Sequence, residues 1–513
     1  MAITFTTTSG STTVTVNDTA HGALAGDRVI FEDVSGLSSA LNSALAAEFE
    51  VQSAATNTYT ITLSSAADQT NSSAGQASAF YLLETGLNTT VLGAGWGAGT
   101  WGRFTWGSAA GNLAGQTLRL WFADNFGEDL IINVADGRIY YWDATGGLTN
   151  NRAIPLENLS GASNTPTVAR KVLVSEVDRH VLAFGANPLG STEQDPLLIR
   201  FSNQEDAANW TPTATNTAGD IRLSQGSEII TALRTRREIL VWTDTSLNSV
   251  QFTGAPFTFG TALLADNTRI VSPNAAVSVN DVVFWMGQEN FYVYDGRVQA
   301  LPCSVRDYVF SDLNRNQSFK IHAGSLASET EIWWFYPTQT NNASGEVNRY
   351  VVYNYGEKVW YYGQLSRTAW NDRGAGQRSY PQAVEGGYLY NHEFGLNDDG
   401  SAINAFVQSS DFDIGDGEQF MFLRRVIPDI TFNDSDTSTP AATLSIQSRD
   451  FPGKAITETV SGVVTESSTD VYTNQIFTRA RGRSLNFKVS SNAVDVKWRL
   501  GAPRIDVRAD GRR

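Results

Sequence analysis

Cysteine is almost absent from this chain: Cys303 stands alone among 513 residues. One thiol closes no internal disulfide, and the four histidines, His21, His180, His322 and His392, are scattered without a thiol partner, so structural zinc is not expected. No stretch reaches the roughly 18 to 20 apolar residues that a membrane-spanning helix needs. The opening Met1-Ala2-Ile3-Thr4-Phe5 has neither a basic start nor a continuous apolar run, so no secretory signal is read and synthesis in a cytoplasm is expected. Charge is sparse at 18% of residues, and basic side chains are outnumbered 37 to 53, a formal net charge of −16. That balance argues against a general duplex-binding surface, because phosphate contact relies on Lys and Arg displacing counterions. Catalytic spellings are missing as well. There is no Gly-x-Ser-x-Gly elbow, no His-Glu-x-x-His, and no Gly-x-x-x-x-Gly-Lys-Ser/Thr phosphate cradle, so no cofactor is expected.

Large aromatic side chains are plentiful, with 13 Trp, 17 Tyr and 26 Phe. Three stretches repeat one pattern, an aromatic strand followed by Asp or Asn: Arg138-Ile139-Tyr140-Tyr141-Trp142-Asp143, Asn290-Phe291-Tyr292-Val293-Tyr294-Asp295-Gly296 and Arg349-Tyr350-Val351-Val352-Tyr353-Asn354-Tyr355-Gly356. Alternating large residues bury one face of a pleated ribbon, and Asp or Asn, with Gly where it follows, turns the chain. Strand sets are expected at 118–142, 172–223, 229–252, 277–294 and 321–362, recurring at roughly propeller-blade length. Ser304 and Asp307 are placed as a capping box for a short helix ahead of Val305, Val309 and Leu313.

Three regions follow from this reading: a small β module at 1–84, a propeller-like body at 85–400, and a C-terminal sandwich at 401–513. In the first, Leu37, Leu41, Leu45 and Phe49 recur every four residues and predict one amphipathic helix, while 64–78 reads as a loop. The segment Gly93 to Gly102 with Trp106-Gly107 reads as a packed glycine-tryptophan loop. In the last region, strands are expected at 420–423, 426–430, 442–447, 485–489 and 494–500, with 457–473 as a hairpin or mobile loop. Asp411, Asp413 and Asp416 crowd near Gly415 and Gly417, but Gly and Asp stand reversed relative to a calcium loop, so a turn is read and no metal is expected.

Charge is unevenly distributed. Arg479 to Arg513 holds ten basic residues against Asp495, Asp506 and Asp510, a surplus of seven that leaves −23 on the remainder. A basic tail on an acidic body suits an ionic docking end. Arg499, Arg504, Arg508, Arg512 and Arg513 are the candidate contacts to a neighbouring subunit or adaptor.

Several of these segments resemble the tail nozzle, or packaged-DNA stabilisation, proteins of short-tailed bacteriophages. They are Asp124-Asn125-Phe126-Gly127-Glu128-Asp129-Leu130 with Ile139 to Asp143, the Gly-Trp-Gly run at 95–107, Asp413 to Gly417 with Ile427-Pro428-Asp429, and Trp498 to Gly501 with Arg504 to Arg513. The stretch His21 to Phe31 looks like a small β module carried by many phage structural proteins. The resemblance implies a homohexamer built around a β-propeller, closing the distal end of the tail below the head-to-tail adaptor, with tail fibres or spikes nearby. Such a protein sits in the virion tail, retains packaged genome, and becomes the conduit for DNA without sequence-specific binding. Family members carry a longer leading segment before the small module than this sequence does. Six copies at −16 each would carry about −96, and an acidic wall lets a polyanion slide without sticking.

The rival reading is a propeller glycosidase or glycan-binding protein acting on cell-surface sugars. A glycosidase needs two carboxylates across one bond, and no Asp or Glu pair stands in a telling context. Trp333-Trp334 and Trp360-Tyr361-Tyr362 could stack on sugars, but they alternate as packed strand residues do. The sequence therefore predicts an all-β structural protein rather than an enzyme.

Overall fold

The computed structural model describes residues 3–19, 21–23, 25–82, 87–90, 118–147, 153–176, 178–254, 257–373, 380–466 and 472–512. The glycine-tryptophan segment at 93–107 and Arg513 lie outside them. Strands dominate, and the chain divides into two compact units, Met1–Asn391 and His392–Arg513.

Residues 3–82 form two small antiparallel sheets over one core. The larger runs Ser53–Ala54, Thr58–Thr62, Thr13–Asn17, Thr4–Thr7, Asn71–Ala74, and the smaller Glu48–Glu50, Arg28–Ser35, Gln76–Leu82. Alternation sets the inward face: Phe5 and Val16 are cross-strand partners, and Phe5 meets Phe31 edge-on at 5.1 Å. The helix Ser39–Leu45 starts where Ser38 Oγ accepts the Leu41 amide at 3.1 Å, and it buries Leu41 and Leu45. The four-residue period overruns the helix at both ends, since Leu37 precedes the Ser38 cap and Phe49 is buried from the strand Glu48–Glu50. The expected loop at 64–78 holds the strand Asn71–Ala74 and the start of Gln76–Leu82. Its Ser, Ala and Asn side chains offer too little apolar contrast for a two-residue period to show.

From Trp121 to Asn391 the strands form five four-stranded sheets and one three-stranded sheet, each a meander of consecutive strands. The first strands are Trp121–Phe126, Lys171–Val174, Ile229–Arg234, Ala276–Val279, His322–Leu326 and Ala369–Asn371. Each packs against the next in that order, so the sheets radiate from an inner row of strands in a propeller-like body. The five expected sets are all present. Ile154–Pro155, Phe259–Asp266 and Val298–Leu301 complete the first, third and fourth as outer strands. A further sheet, Ala369–Asn371, Gln382–Glu385 and Tyr388–Asn391, lacks the long aromatic alternation that marks the others.

The repeated aromatic pattern has a structural meaning. The fourth residue of the second strand in sheets two to five is Phe184, Trp242, Trp285 and Trp334, and all four are fully buried. Trp242 meets Trp285 at 5.5 Å, joining the third sheet to the fourth, and Phe291 meets Trp334 at 4.8 Å, joining the fourth to the fifth. Across the ladder from these rings stand Lys171, Thr231, Ala276 and Ala323. In the sixth sheet the sizes are exchanged, with Trp370 on the first strand facing Ala383. Trp370 stacks on Trp333 at 5.7 Å, in space that a Cβ on Gly324 would occupy. The expected capping box is absent: the helix Arg306–Ser311 has Val305 at its N-cap, with no side-chain cap bond, and Asp307 pairs with Arg306 at 3.1 Å.

The second unit is a sandwich. Its four-stranded sheet runs Ala405–Gln408, Ser484–Ser491, Ala441–Arg449, Glu458–Thr465, and its three-stranded sheet runs Ile476–Gly482, Met421–Ile427, Arg504–Ala509. Ala441–Arg449 alternates buried and half-buried residues along its whole length, and Leu444 and Ile446 share one core with Met421, Leu423 and Val426 of the other sheet. The expected hairpin or mobile loop at 457–473 contains the strand Glu458–Thr465. Asn397 exchanges side-chain and backbone hydrogen bonds with Asp495 at 2.6 and 2.8 Å, tying the hairpin of Asn397–Asp398 and Ser401–Ala402 into this unit.

Candidate functional site

The inner strands border a half-open cavity of about 310 Å³ lined by Lys171, Thr231, Asn274, His322, Thr368 and Trp370, among others. Lys171 enters from the second sheet. Its Nζ donates to Thr231 Oγ1 at 3.0 Å and lies 4.8 Å from the centre of the Phe122 ring. Burial pushes its ammonium down to about 8, with Asp124 pulling the other way. His322 enters from the fifth sheet, stacked on Phe335 at 5.0 Å and 8% exposed. Its Nδ1 lies 3.3 Å from the Lys320 carbonyl, which assigns the proton to Nδ1 and leaves a buried lone pair on Nε2 that meets no partner among the described residues. Burial pushes this imidazole down to about 4, so it is neutral near pH 7. Nothing in the sequence pattern marks Lys171 or His322, because their convergence depends on the order of the sheets.

One further cleft shares Asn274, His322 and Thr368 and adds Glu346, and another shares Pro273 and adds Asp27 and Asp136. Asp136 accepts from Arg170 at 2.6 Å and from Gln194 at 2.9 Å, while Glu346 is paired with Lys320. Among the described residues no group of three or more His, Cys, Asp or Glu side chains is placed to hold a metal ion. Asp411, from the acidic turn, pairs instead with Arg449 at 3.0 Å and accepts from Asn486 at 2.7 Å.

A second constellation is invisible in the sequence. His180 Nδ1 lies 2.9 Å from Asp178 Oδ2, and its Nε2 lies 2.9 Å from Thr217 Oγ1, an acid, imidazole and hydroxyl in a row. His180 is fully buried and Asp178 nearly so, with Phe201 and Phe259 packed edge-on against the imidazole. Thr217 Oγ1 also accepts from the Gln204 amide at 2.9 Å and lies 3.1 Å from Asn203 Oδ1. The hydroxyl is saturated, so this row ties the Asn203 turn to the second sheet.

The basic C-terminal residues are part of the second unit's framework. Arg504–Ala509 is a strand paired antiparallel with Met421–Ile427, and Val507 packs on the sandwich core. Arg499 lies in the two-residue strand Arg499–Leu500, opposite Thr431. Arg499, Arg504, Arg508 and Arg512 are all exposed. Arg508 reaches Asp506 at 3.9 Å and Arg512 reaches Glu418 at 3.5 Å, surface pairs that hold little energy. The segment is anchored by backbone: Asp510 N to Phe420 O and Phe420 N to Gly511 O, both 2.7 Å. The basic end is thus an edge strand that displays arginines. The Ile505 and Val507 alternation carried that signal beneath the charge.

The segments that carry the phage resemblance also find their places. Asp124 Oδ2 accepts from the Val174 amide at 2.8 Å and from Arg234 at 3.0 Å, linking three sheets. Asp129 accepts from Tyr141 and from the Ala144 amide at 2.9 Å, closing the turn after the aromatic strand. In the second unit Asp429 Oδ2 accepts from the Ala502 amide at 2.7 Å, and its carbonyl accepts from Gly501 at 2.8 Å. A Cβ on Gly501 would strike that carboxylate. Ile427-Pro428-Asp429 and Trp498 to Gly501, distant in sequence, thus meet.

No protein-family model and no curated protein matches the chain. Solved structures with a related strand layout include the dihydro-heme d1 dehydrogenase NirN in complex with DHE, at 12% identity and TM-score 0.30, covering 75% of this chain and 70% of that one. A variant of Synechocystis apocarotenoid oxygenase aligns at 7% identity and TM-score 0.31, covering 76% and 88%. The phage phi92 endosialidase aligns at 10% identity and TM-score 0.19, covering 93% and 71%. Likeness this slight carries no argument about chemistry. The chain is an all-β protein with a propeller-like body, and that assignment rests on its own sheets.

Proposed function

We propose that this chain is a structural subunit of a short-tailed phage tail nozzle, closing the distal tail end, retaining packaged DNA and forming the conduit for ejection. One observation carries the reading: residues in the segments that resemble that family serve as staples between strands, Asp124 across three sheets and Asp429 against Gly501 and Ala502. Motifs spent on holding sheets together fit a scaffold. The lining carboxylates Asp136 and Glu346 are ion-paired, whereas a glycosidase needs two carboxyl groups facing one bond. The net charge of −16 per chain suits a wall along which DNA slides. Exposed Arg499, Arg504, Arg508 and Arg512 would face the adaptor or a neighbouring subunit.

Negative-stain microscopy of the purified full chain tests the ring, and antibody labelling of virions tests the location. Six-fold rings and label at the tail tip are expected. A chain that stays monomeric at every concentration tried and is absent from virions would overturn the proposal.

A further inference from the structure

Two outer sheet faces, one in each unit, are opposites in charge. In the sandwich, the register of Ile476–Gly482, Met421–Ile427 and Arg504–Ala509 places Arg425, Arg479, Arg481, Arg504 and Arg508 on the side away from the core, with exposed Arg424 in a bulge of the middle strand. The carboxylates beside them are Asp506, 3.9 Å from Arg508, and Asp510, 2.5 Å from Arg481. Arg424, Arg479 and Arg504 make no ion pair among the described residues. Phe422 lies between Arg481 and Arg508 in the ladder, and Phe477, 68% exposed, stands beside Arg425. Like charges side by side on a sheet repel. Six guanidiniums against two carboxylates, in a chain of net charge −16, therefore call for a complement beyond this sheet.

The small module carries one. On its smaller sheet the buried Val29, Phe31 and Phe49 point inward, and Arg28, Glu32, Glu48 and Glu50 stand exposed on the other side. Arg28 pairs with Glu48 at 3.1 Å, while Glu32 and Glu50 make no ion pair among the described residues. Phe80 and Leu82, exposed on the neighbouring strand, share this acidic face.

We propose that the acidic sheet face of the module in one copy docks on the arginine face of the sandwich in the next copy. Glu32, Glu48 and Glu50 meet the arginines, and Phe80 and Leu82 lie against Phe477. The two faces differ, so the contact is heterologous and runs head to tail, the kind that closes a ring. It rests on the nozzle reading for that ring, and it makes the neighbouring copy, not the adaptor, the partner of the arginines.

Sedimentation velocity of the full chain tests the contact. Self-association is expected in 0.1 M NaCl and should weaken at least tenfold in 1 M NaCl. Two multiple variants each reverse the sign of one face: Arg424→Glu, Arg479→Glu and Arg504→Glu together, and Glu32→Lys with Glu50→Lys. All five side chains are exposed, and circular dichroism checks that both variants fold. Each variant alone should associate at least tenfold more weakly than the unaltered chain. An equal mixture of the two should recover association, because each supplies the face that matches the other. Association that salt does not weaken overturns the contact whether or not a variant folds, as do folded variants that associate normally or a mixture no tighter than its components. A chain monomeric at every concentration also overturns it, the result expected if the two faces meet within one copy or the arginines serve only the adaptor. In each of these cases antibody label at the tail tip would leave the nozzle reading standing. Charge-swapped association without label in virions would sink the nozzle and keep the contact.

Discussion

Asp124 and Arg234 stand 110 residues apart in sequence and 3.0 Å apart in space, and the same guanidinium also donates to the Val174 carbonyl at 2.6 Å. Asp124 accepts the Val174 amide in turn, so one carboxylate and one guanidinium clasp the backbone of a third strand from both sides. Both side chains are substantially buried, which raises the effect of removing either one.

Replacing Asp124 by Ala should therefore cost about 1–3 kcal/mol. Urea unfolding of the single and double variants with Arg234→Ala should give a coupling energy of about 0.5–3 kcal/mol. Strict additivity would show that the clasp is decorative.

The aromatic wedges make a second prediction. Trp242→Ala should lose about 3–5 kcal/mol, because the indole is fully buried between sheets. Tyr388→Ala, at a side chain 70% exposed, should stay within about 0.5 kcal/mol. Gly324→Ala should cost about 1–3 kcal/mol by forcing Trp370 from its place. Trp370→Ala in the same chain should recover part of that loss, read as a shift in urea midpoint.

His322 makes stability depend on pH. Unfolded, its imidazole titrates near 6.5, whereas burial holds the folded group at about 4. Between those values the unfolded chain carries a proton that the folded chain lacks. The folded state is therefore favoured fully above 6.5 and progressively less as pH falls toward about 4, by about 3 kcal/mol in all. Comparing urea unfolding of the chain and of His322→Phe across that window isolates this group from the carboxylates. The variant should show the shallower acid slope.

The exposed arginines allow charge and fold to be separated. Arg504→Glu, Arg508→Glu and Arg512→Glu together should leave the second unit's melting nearly unchanged, since their ion pairs are at the surface. Incorporation into virions should fall sharply if they dock an adaptor. Truncation after Leu500 should instead unfold the second unit, because it removes the strand Arg504–Ala509 with Val507. Circular dichroism and sedimentation distinguish the two outcomes.

Much of the architecture was legible wherever large and small residues alternate. The strands carrying Trp242, Trp285 and Trp334 announce themselves, as do the turns after them. Short strands of small or polar residues, such as Asn71–Ala74 and Gln382–Glu385 with its single large apolar residue Val384, carry no such contrast. In Arg504–Ala509 the density of charge masked a period of two. The candidate site was the least legible part. Lys171, Thr231, His322 and Trp370 are brought together by which strand lies innermost, and Asp178, His180 and Thr217 by a turn that only tertiary packing closes. Neither grouping has a spacing that a linear search could find.

Each sheet of the body is made from consecutive strands and borrows none from a distant part of the chain. Its strand pairings thus stay within each sheet, with neighbouring sheets adding interface after interface, the energetic logic of a repeat array. Stretching a single molecule between clamps at Thr4 and Asn391 should then give a staircase of modest length increments, one per sheet, rather than a single rip. A body able to yield in steps would absorb a sudden mechanical load without wholesale collapse.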